Sequence, residues 1–155
     1  MHRKKPVFMT STWKNLLFVN YELEPSLVIP LIPDGTELDM EDGRTFLSLV
    51  GLQFVDTRIF GIPAFLNRNF DEVNLRFYVK RHFGPQSKEG VVFIAEIIKS
   101  RIVAWIAKLL YGENYSARNI NSQIIESDDV VTKVTYEIFM NGIRSEMSSI
   151  IESNL

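Results

Sequence analysis

Glu72, Asn74, Arg76 and Tyr78 stand at every second position of one stretch, and their side chains are the most chemically capable group in the chain. Val73, Leu75, Phe77 and Val79 fill the positions between them, and the alternation runs without exception from Glu72 to Lys80. A period of two means a strand with one apolar and one polar side. The polar side would carry a carboxylate, an amide, a guanidinium and a phenol in one row. Same-side neighbours lie ~6.5–7 Å apart, so Glu72 and Arg76 are ~13 Å apart and cannot pair directly. The row has two readings. It faces bulk solvent, or it lines a polar cavity in which a small ligand is oriented. In the second reading Arg76 is an anion anchor, because a guanidinium meets a carboxylate at two points. Glu72 is then the candidate acid or base, provided burial raises its pKa.

Other chemistry finds no support. No Gly-rich phosphate loop, G-x-S-x-G elbow or H-E-x-x-H helix occurs. The two histidines, His2 and His82, are far apart in sequence, and no metal site is expected from them. With no cysteine, disulfides, thiolate metal sites and a Cys nucleophile are excluded. Glu41-Asp42 and Asp128-Asp129 are paired carboxylates in turn signals, read as solvated. Seventeen Lys and Arg against nineteen Asp and Glu leave a net charge of −2, which gives no footprint for nucleic acid. No run approaches the ~20 apolar residues of a membrane span. No secretory signal is visible, so the expected address is the cytoplasm.

The elements that must hold this row are mostly strands. The 155 residues are expected to form a flexible tail over 1–12 and one domain over 13–155. Trp13 to Leu23 reads as a strand whose run Leu16-Leu17-Phe18-Val19 is buried on both sides. Pro25 opens a short helix or turn, and Thr36 to Asp39 reads as a brief strand. Arg44 to Val55 is apolar on both sides and so must be covered on both, by a helix or by a closed barrel. Gly51 at its centre reads as a bulge or a barrel corner. Gly90 to Lys99 pairs with the 72–80 strand as a hairpin. Ser100 to Tyr111 has helical spacing of Ile102, Val103, Ile106, Leu109 and Leu110, with Gly112 just beyond. Tyr115 to Glu126 and Val130 to Phe139 read as strands, and Ile143 to Leu155 as a weak helix or a disordered end. Six or seven strands and one main helix, at about 100–111, favour an α+β, β-rich sheet curled into a barrel, which would remove exposed edges.

Trp13-Lys14-Asn15-Leu16-Leu17-Phe18-Val19-Asn20-Tyr21, then Pro25, Leu31-Ile32-Pro33 and Leu38-Asp39, resemble the opening of the YqjF-like family of uncharacterised conserved proteins. Phe70, Glu72, Asn74-Leu75-Arg76 and Tyr78-Val79 resemble its most distinctive motif. Gly90 to Phe93 and Tyr111 to Ala117 follow in the family's order, so the resemblance covers about residues 11 to 120. The family is placed in the acetoacetate decarboxylase-like superfamily, which implies a β-rich, barrel-like α+β domain around a central cavity.

In the decarboxylase a lysine forms a Schiff base with a keto acid, and an adjacent lysine lowers its pKa. A glutamate on a neighbouring strand completes that site, and by motif order Glu72 resembles it. The paired lysines would fall near Asn114-Tyr115, neither of which is a lysine. The resemblance therefore implies the fold without the Schiff-base chemistry. It points to a small carboxylate or carbonyl compound bound by Asn74, Arg76, Tyr78 and Asn114, with Glu72 and Tyr115 as candidate catalytic groups. Tyr115 reads equally well as a packed core aromatic. No cofactor is expected. The alternatives are a structural or interaction module that keeps the fold without a site, and a decarboxylase-type lyase. The chain is short for this family at its C-terminus; a barrel lacking its last segment would leave an edge for a second subunit to cover as a homodimer.

Overall fold

The computed structural model describes residues 7–65, 67–99, 115–128 and 130–151. Ten strands run through them: β1 Met9–Leu23, β2 Glu37–Leu38, β3 Thr45–Ile59, β4 Ile62–Pro63, β5 Phe70–Phe83, β6 Gln86–Ile98, β7 Tyr115–Ala117, β8 Asn119–Ser127, β9 Val130–Met140 and β10 Ile143–Ile150. The larger sheet has the order β1-β3-β5-β6-β7, with β2 on β5 and β4 on β3; the smaller is β10-β9-β8. All pairings are antiparallel except β6 with β7.

The two sheets form layers, and their packing follows from the alternation in β5. Val73 on β5, with Leu17 of β1 and Ile97 of β6, meets Ile120, Val134, Tyr136, Ile138 and Met147 of the smaller sheet. The rest of the same face, around Phe77 and Val79, is covered by Val28, Ile32 and Leu38. Val28 joins two 3₁₀ turns, Pro25–Leu27 and Ile29–Leu31, each with a proline in its first turn. We call this the inner face of the large sheet.

The expected closed barrel is not present among the described residues. The apolar face of β5 obtains its cover from a second layer, so the large sheet has no need to curl onto itself. The expected helix at about 100–111 lies outside the described residues. The chain is already in β1 at Met9, inside the stretch read as a tail. Ile143–Ile150 is a strand, where a weak helix or a disordered end was expected. Its cause is Asn141-Gly142, whose φ angles of 50° and 78° make the two-residue turn that matches strand twist. The turn brings Met147 opposite Tyr136.

Gly51 is neither a bulge nor a barrel corner. A Cβ there would lie 2.7 Å from Tyr136 Cγ and closer still to Tyr136 Cδ2 and Met147 Cε. The glycine lets the Tyr136 ring lie directly on the β3 backbone. The bulge is in the neighbouring strand: β1 carries an extra residue between Lys14 and Leu17, with Asn15 at φ 52°. The Tyr136 hydroxyl donates to the Asn15 carbonyl at 2.7 Å. Burial, and then the nearby Asp71 carboxylate, push the phenol pKa well up, so it remains a donor. The Asn15 side chain donates to Gln53, which in turn donates to Ser122 and Asp71.

A second bulge lies in β3 opposite Thr10 to Thr12, with Asp56 at φ 52°. Arg68 and Arg58 approach its carboxylate to 2.7 and 3.1 Å. These hydrogen bonds, Arg68 first, hold its pKa below the ordinary 3.8. The folded pKa is the lower one, so the stabilisation is complete above pH 3.8 and disappears as pH falls through the folded value. NMR amide shifts of Thr57 and Ala64, whose N–H groups bond across this loop, are expected to move below that pH, and Asp56→Asn to abolish the step.

Gly51→Ala is expected to destabilise by about 1–3 kcal/mol in urea denaturation, as overpacking does. In a Tyr136→Leu background its cost should fall, because the ring it strikes is gone.

Candidate functional site

The other face of the large sheet carries the polar row. On β5 it runs Phe70, Glu72, Asn74, Arg76, Tyr78. Antiparallel register sets Leu52 and Ile98 beside Glu72, Val50 and Glu96 beside Asn74, and Ser48 and Phe93 beside Arg76. On β1, Phe18 stands beside Val50 and Asn20 beside Ser48. This outer face is not solvated over its middle. Glu72 and Asn74 are each 4% exposed and Glu96 is 2% exposed. Ser48, Val50 and Leu52 are buried with them. The solvent-facing reading of the row therefore fails at its centre and holds only at its end, where Lys80 pairs with the half-exposed Glu37 at 3.4 Å.

Burying carboxylates costs several kcal/mol each unless hydrogen bonds replace water. Here Asn74 Nδ2 donates to Glu72 Oε1 at 3.0 Å. Ser48 Oγ donates to Asn20 Oδ1 at 2.6 Å, and Tyr78 Oη lies 2.6 Å from the same Oγ. A serine has one proton, so Tyr78 is the donor in the second bond. The phenol of Tyr78 is thus committed to Ser48, and its ring is turned toward Arg76. The Arg76 guanidinium carbon sits 5.2 Å from the Phe18 ring centroid and 5.9 Å from that of Tyr78. Each such contact is worth about 0.5–2 kcal/mol. Among the described residues Arg76 has no ion-pair partner, and its Nε is buried without a hydrogen bond.

Both ends of the row open into clefts. One, of about 450 Å³, is lined by Tyr78, Asn20 and Phe46 with Asp39, Met40, Glu41 and Glu89. The other, of about 570 Å³, is lined by Phe54 and Phe70, whose rings stack at 4.6 Å, with Gln53, Asp71 and Ser122 among others.

Four of the residues expected from sequence, Glu72, Asn74, Arg76 and Tyr78, thus share one row. Asn114 and the Tyr115 side chain lie outside the described residues; the Tyr115 backbone pairs in register with Glu96. The sequence reading missed Glu96, Ser48, Asn20 and Phe18. Glu96 lies in the run Val91 to Ile98, where alternation is absent. A bulge between its pairings with Leu75 and Arg76 lets β6 turn Ile94 and Val92 to the inner cluster and still set Glu96 beside Asn74. The one signal available was a lone acid inside an apolar run.

The sequence profile of the DUF2071 family, uncharacterised conserved proteins, matches residues 10–152. The chain belongs to this family. The uncharacterised protein YqjF of Bacillus subtilis is 26% identical over 116 residues, which is 74% of this chain and 46% of that protein. The chain thus spans about half the length of that relative. Among solved structures, the enduracididine biosynthesis enzyme MppR, complexed with the condensation product of pyruvate and imidazole 4-carboxaldehyde, superposes with a TM-score of 0.72 at 12% identity, over 97% of this chain and 58% of that one. An acetoacetate decarboxylase-like enzyme from Sphingomonas wittichii gives 0.61 at 15% identity, over 91% and 56%. Acetoacetate decarboxylase from Legionella pneumophila gives 0.54 at 13%, over 86% and 50%. The DUF2071 chain has the acetoacetate decarboxylase-like fold.

Among the described residues no group of three or more His, Asp or Glu could hold a metal ion. No described helix is long and apolar enough to cross a membrane.

Ser48→Ala removes the acceptor of the Tyr78 hydroxyl and is expected to cost about 1 kcal/mol. Tyr78→Phe should cost a similar amount in urea denaturation, and the double variant less than the two together.

Proposed function

We propose that this protein binds a small carboxylate or carbonyl compound on the outer face of its large sheet, with Arg76 as the anion anchor and without Schiff-base chemistry. One observation carries this reading: a half-buried guanidinium with its carbon 5.2 Å from the Phe18 ring centroid and 5.9 Å from that of Tyr78, with no carboxylate paired to it among the described residues. The two rings favour a cation at this place, and a guanidinium meets a carboxylate with two parallel bonds. Tyr78 keeps its place through Ser48 and so supports the stack. Glu72, oriented by Asn74, is the candidate proton-transfer group. A cleft opens beside Tyr78 and another beside Phe70, at the two ends of the row.

MppR is named as holding a pyruvate-derived condensation product, and a ligand of that general kind, small and oxygen-rich, suits this row. The described row offers no free amine for an imine. Its one lysine, Lys80, is held by Glu37.

A thermal-shift series with pyruvate and acetoacetate tests the reading. A ligand at 100 times its Kd adds about 2.7 kcal/mol to stability, and wild type is expected to show such a shift. Arg76→Met should lose it, and Arg76→Lys should retain only part, since an ammonium lacks the planar fork. Equal shifts in wild type and Arg76→Met would remove Arg76 from the site. A borohydride-stable adduct on any lysine would overturn the exclusion of imine chemistry.

A further inference from the structure

We infer that the ligand of this row is a hydroxycarboxylate, and that Asn74 selects for its hydroxyl. The inference rests on the anion site at Arg76 and deepens it. On the outer face, Arg76 Nε and Asn74 Oδ1 are buried without a hydrogen-bond partner, and Glu96 stands beside Asn74 in register. The two atoms belong to same-face neighbours one side-chain pitch, ~6.5–7 Å, apart along β5. One is a donor carrying positive charge and the other is a neutral acceptor.

The orientation of the Asn74 amide is fixed by chemistry. Its nitrogen lies 3.0 Å from Glu72 Oε1. A carboxylate oxygen accepts, so the NH₂ must face Glu72 and the carbonyl oxygen must face away from it. The carbonyl is therefore an acceptor one position along the row from Arg76, the proposed anion anchor. A molecule that satisfies both atoms carries an anionic oxygen pair and, a few ångströms from it, an O–H donor. A 2- or 3-hydroxy acid has this pattern. The matching keto acid has the anionic pair but puts a carbonyl oxygen against the Asn74 carbonyl, acceptor against acceptor. A plain carboxylate meets Arg76 and leaves Asn74 Oδ1 without a partner. Sites built to hydrogen-bond a hydroxyl discriminate strongly against analogues that lack it, because the buried protein group is then unpaired.

The test is calorimetric titration of wild type with matched sets: lactate (both enantiomers), propionate and pyruvate, then 3-hydroxybutyrate, butyrate and acetoacetate. The better lactate enantiomer is expected to bind ~10-fold more tightly than pyruvate, with propionate between them, and the second set to show the same order. In Asn74→Ala the preference for the hydroxy acid over the plain acid should be lost. The wild-type ranking needs no variant, so it decides the matter even where Asn74→Ala fails to fold. Keto acids binding as tightly as the hydroxy acids, with dependence on Arg76, would overturn the hydroxyl selection and leave the anion site standing. No binding of any of the six acids would overturn both.

Discussion

The ring of Tyr136 rests on the backbone at Gly51, and the two-layer arrangement depends on that contact. It is the closest approach available between two sheets, since one partner has no side chain at all. Around it gather Leu17, Val73 and Ile97 from one layer and Ile120, Val134, Ile138 and Met147 from the other. The tyrosine also has a polar end to satisfy, and a buried phenol without an acceptor would cost about 1–3 kcal/mol. The Asn15 bulge answers this by turning a backbone carbonyl toward it. Glycine, tyrosine and bulge thus lie on three strands of two sheets and are geometrically interdependent.

With the inner face committed to apolar packing, the outer face of the same strands is free to hold polar groups. This division explains why a strict alternation in β5 coexists with burial on both sides. The inner residues Val73 and Phe77 are fully buried, as are the outer Glu72 and Asn74 within a few per cent. An alternating strand ordinarily signals one wet face. Here polarity on the second face reflects an internal hydrogen-bonded arrangement: Asn74 to Glu72, Tyr78 to Ser48, and Ser48 to Asn20. Such arrangements are retained at a cost in stability.

The parts of this design legible in the sequence are those written in local periodicity. β5 announces itself by alternation, β3 by being apolar on both sides, and the β5–β6 hairpin by the apolar run from Gly90 that follows the alternating strand. The row Glu72, Asn74, Arg76, Tyr78 follows from the first of these. Glu96 was hidden because the β6 bulge resets its phase, and a bulge leaves no mark in an apolar run. Ser48 and Phe18 were hidden because their importance comes from register with other strands. β10 was misread because Arg144, Ser145, Glu146, Ser148 and Ser149 carry little apolar signal; the Asn141-Gly142 turn pairs the strand regardless. Whether the large sheet closes is decided by what lies on its inner face, and that cover is distant in the chain: Val73 meets residues more than forty positions further along, and Phe77 meets Val28 and Ile32, more than forty positions before it.

The likeness to the decarboxylase fold at 12–15% identity is informative for the same reason. A sheet of this kind needs apolar residues on the inner face and little more, so the outer row can change its chemistry without disturbing the layers. The charge pattern of this row differs from what imine chemistry requires. An amine nucleophile works by being neutral near pH 7, which calls for a second cation beside it or a dry apolar site. The cation next along this row from Asn74 is a guanidinium, not an amine. A permanent cation near the Phe18 and Tyr78 rings suits the holding of an anion and does not suit attack on a carbonyl. On the reading proposed above, such a row recognises an acid.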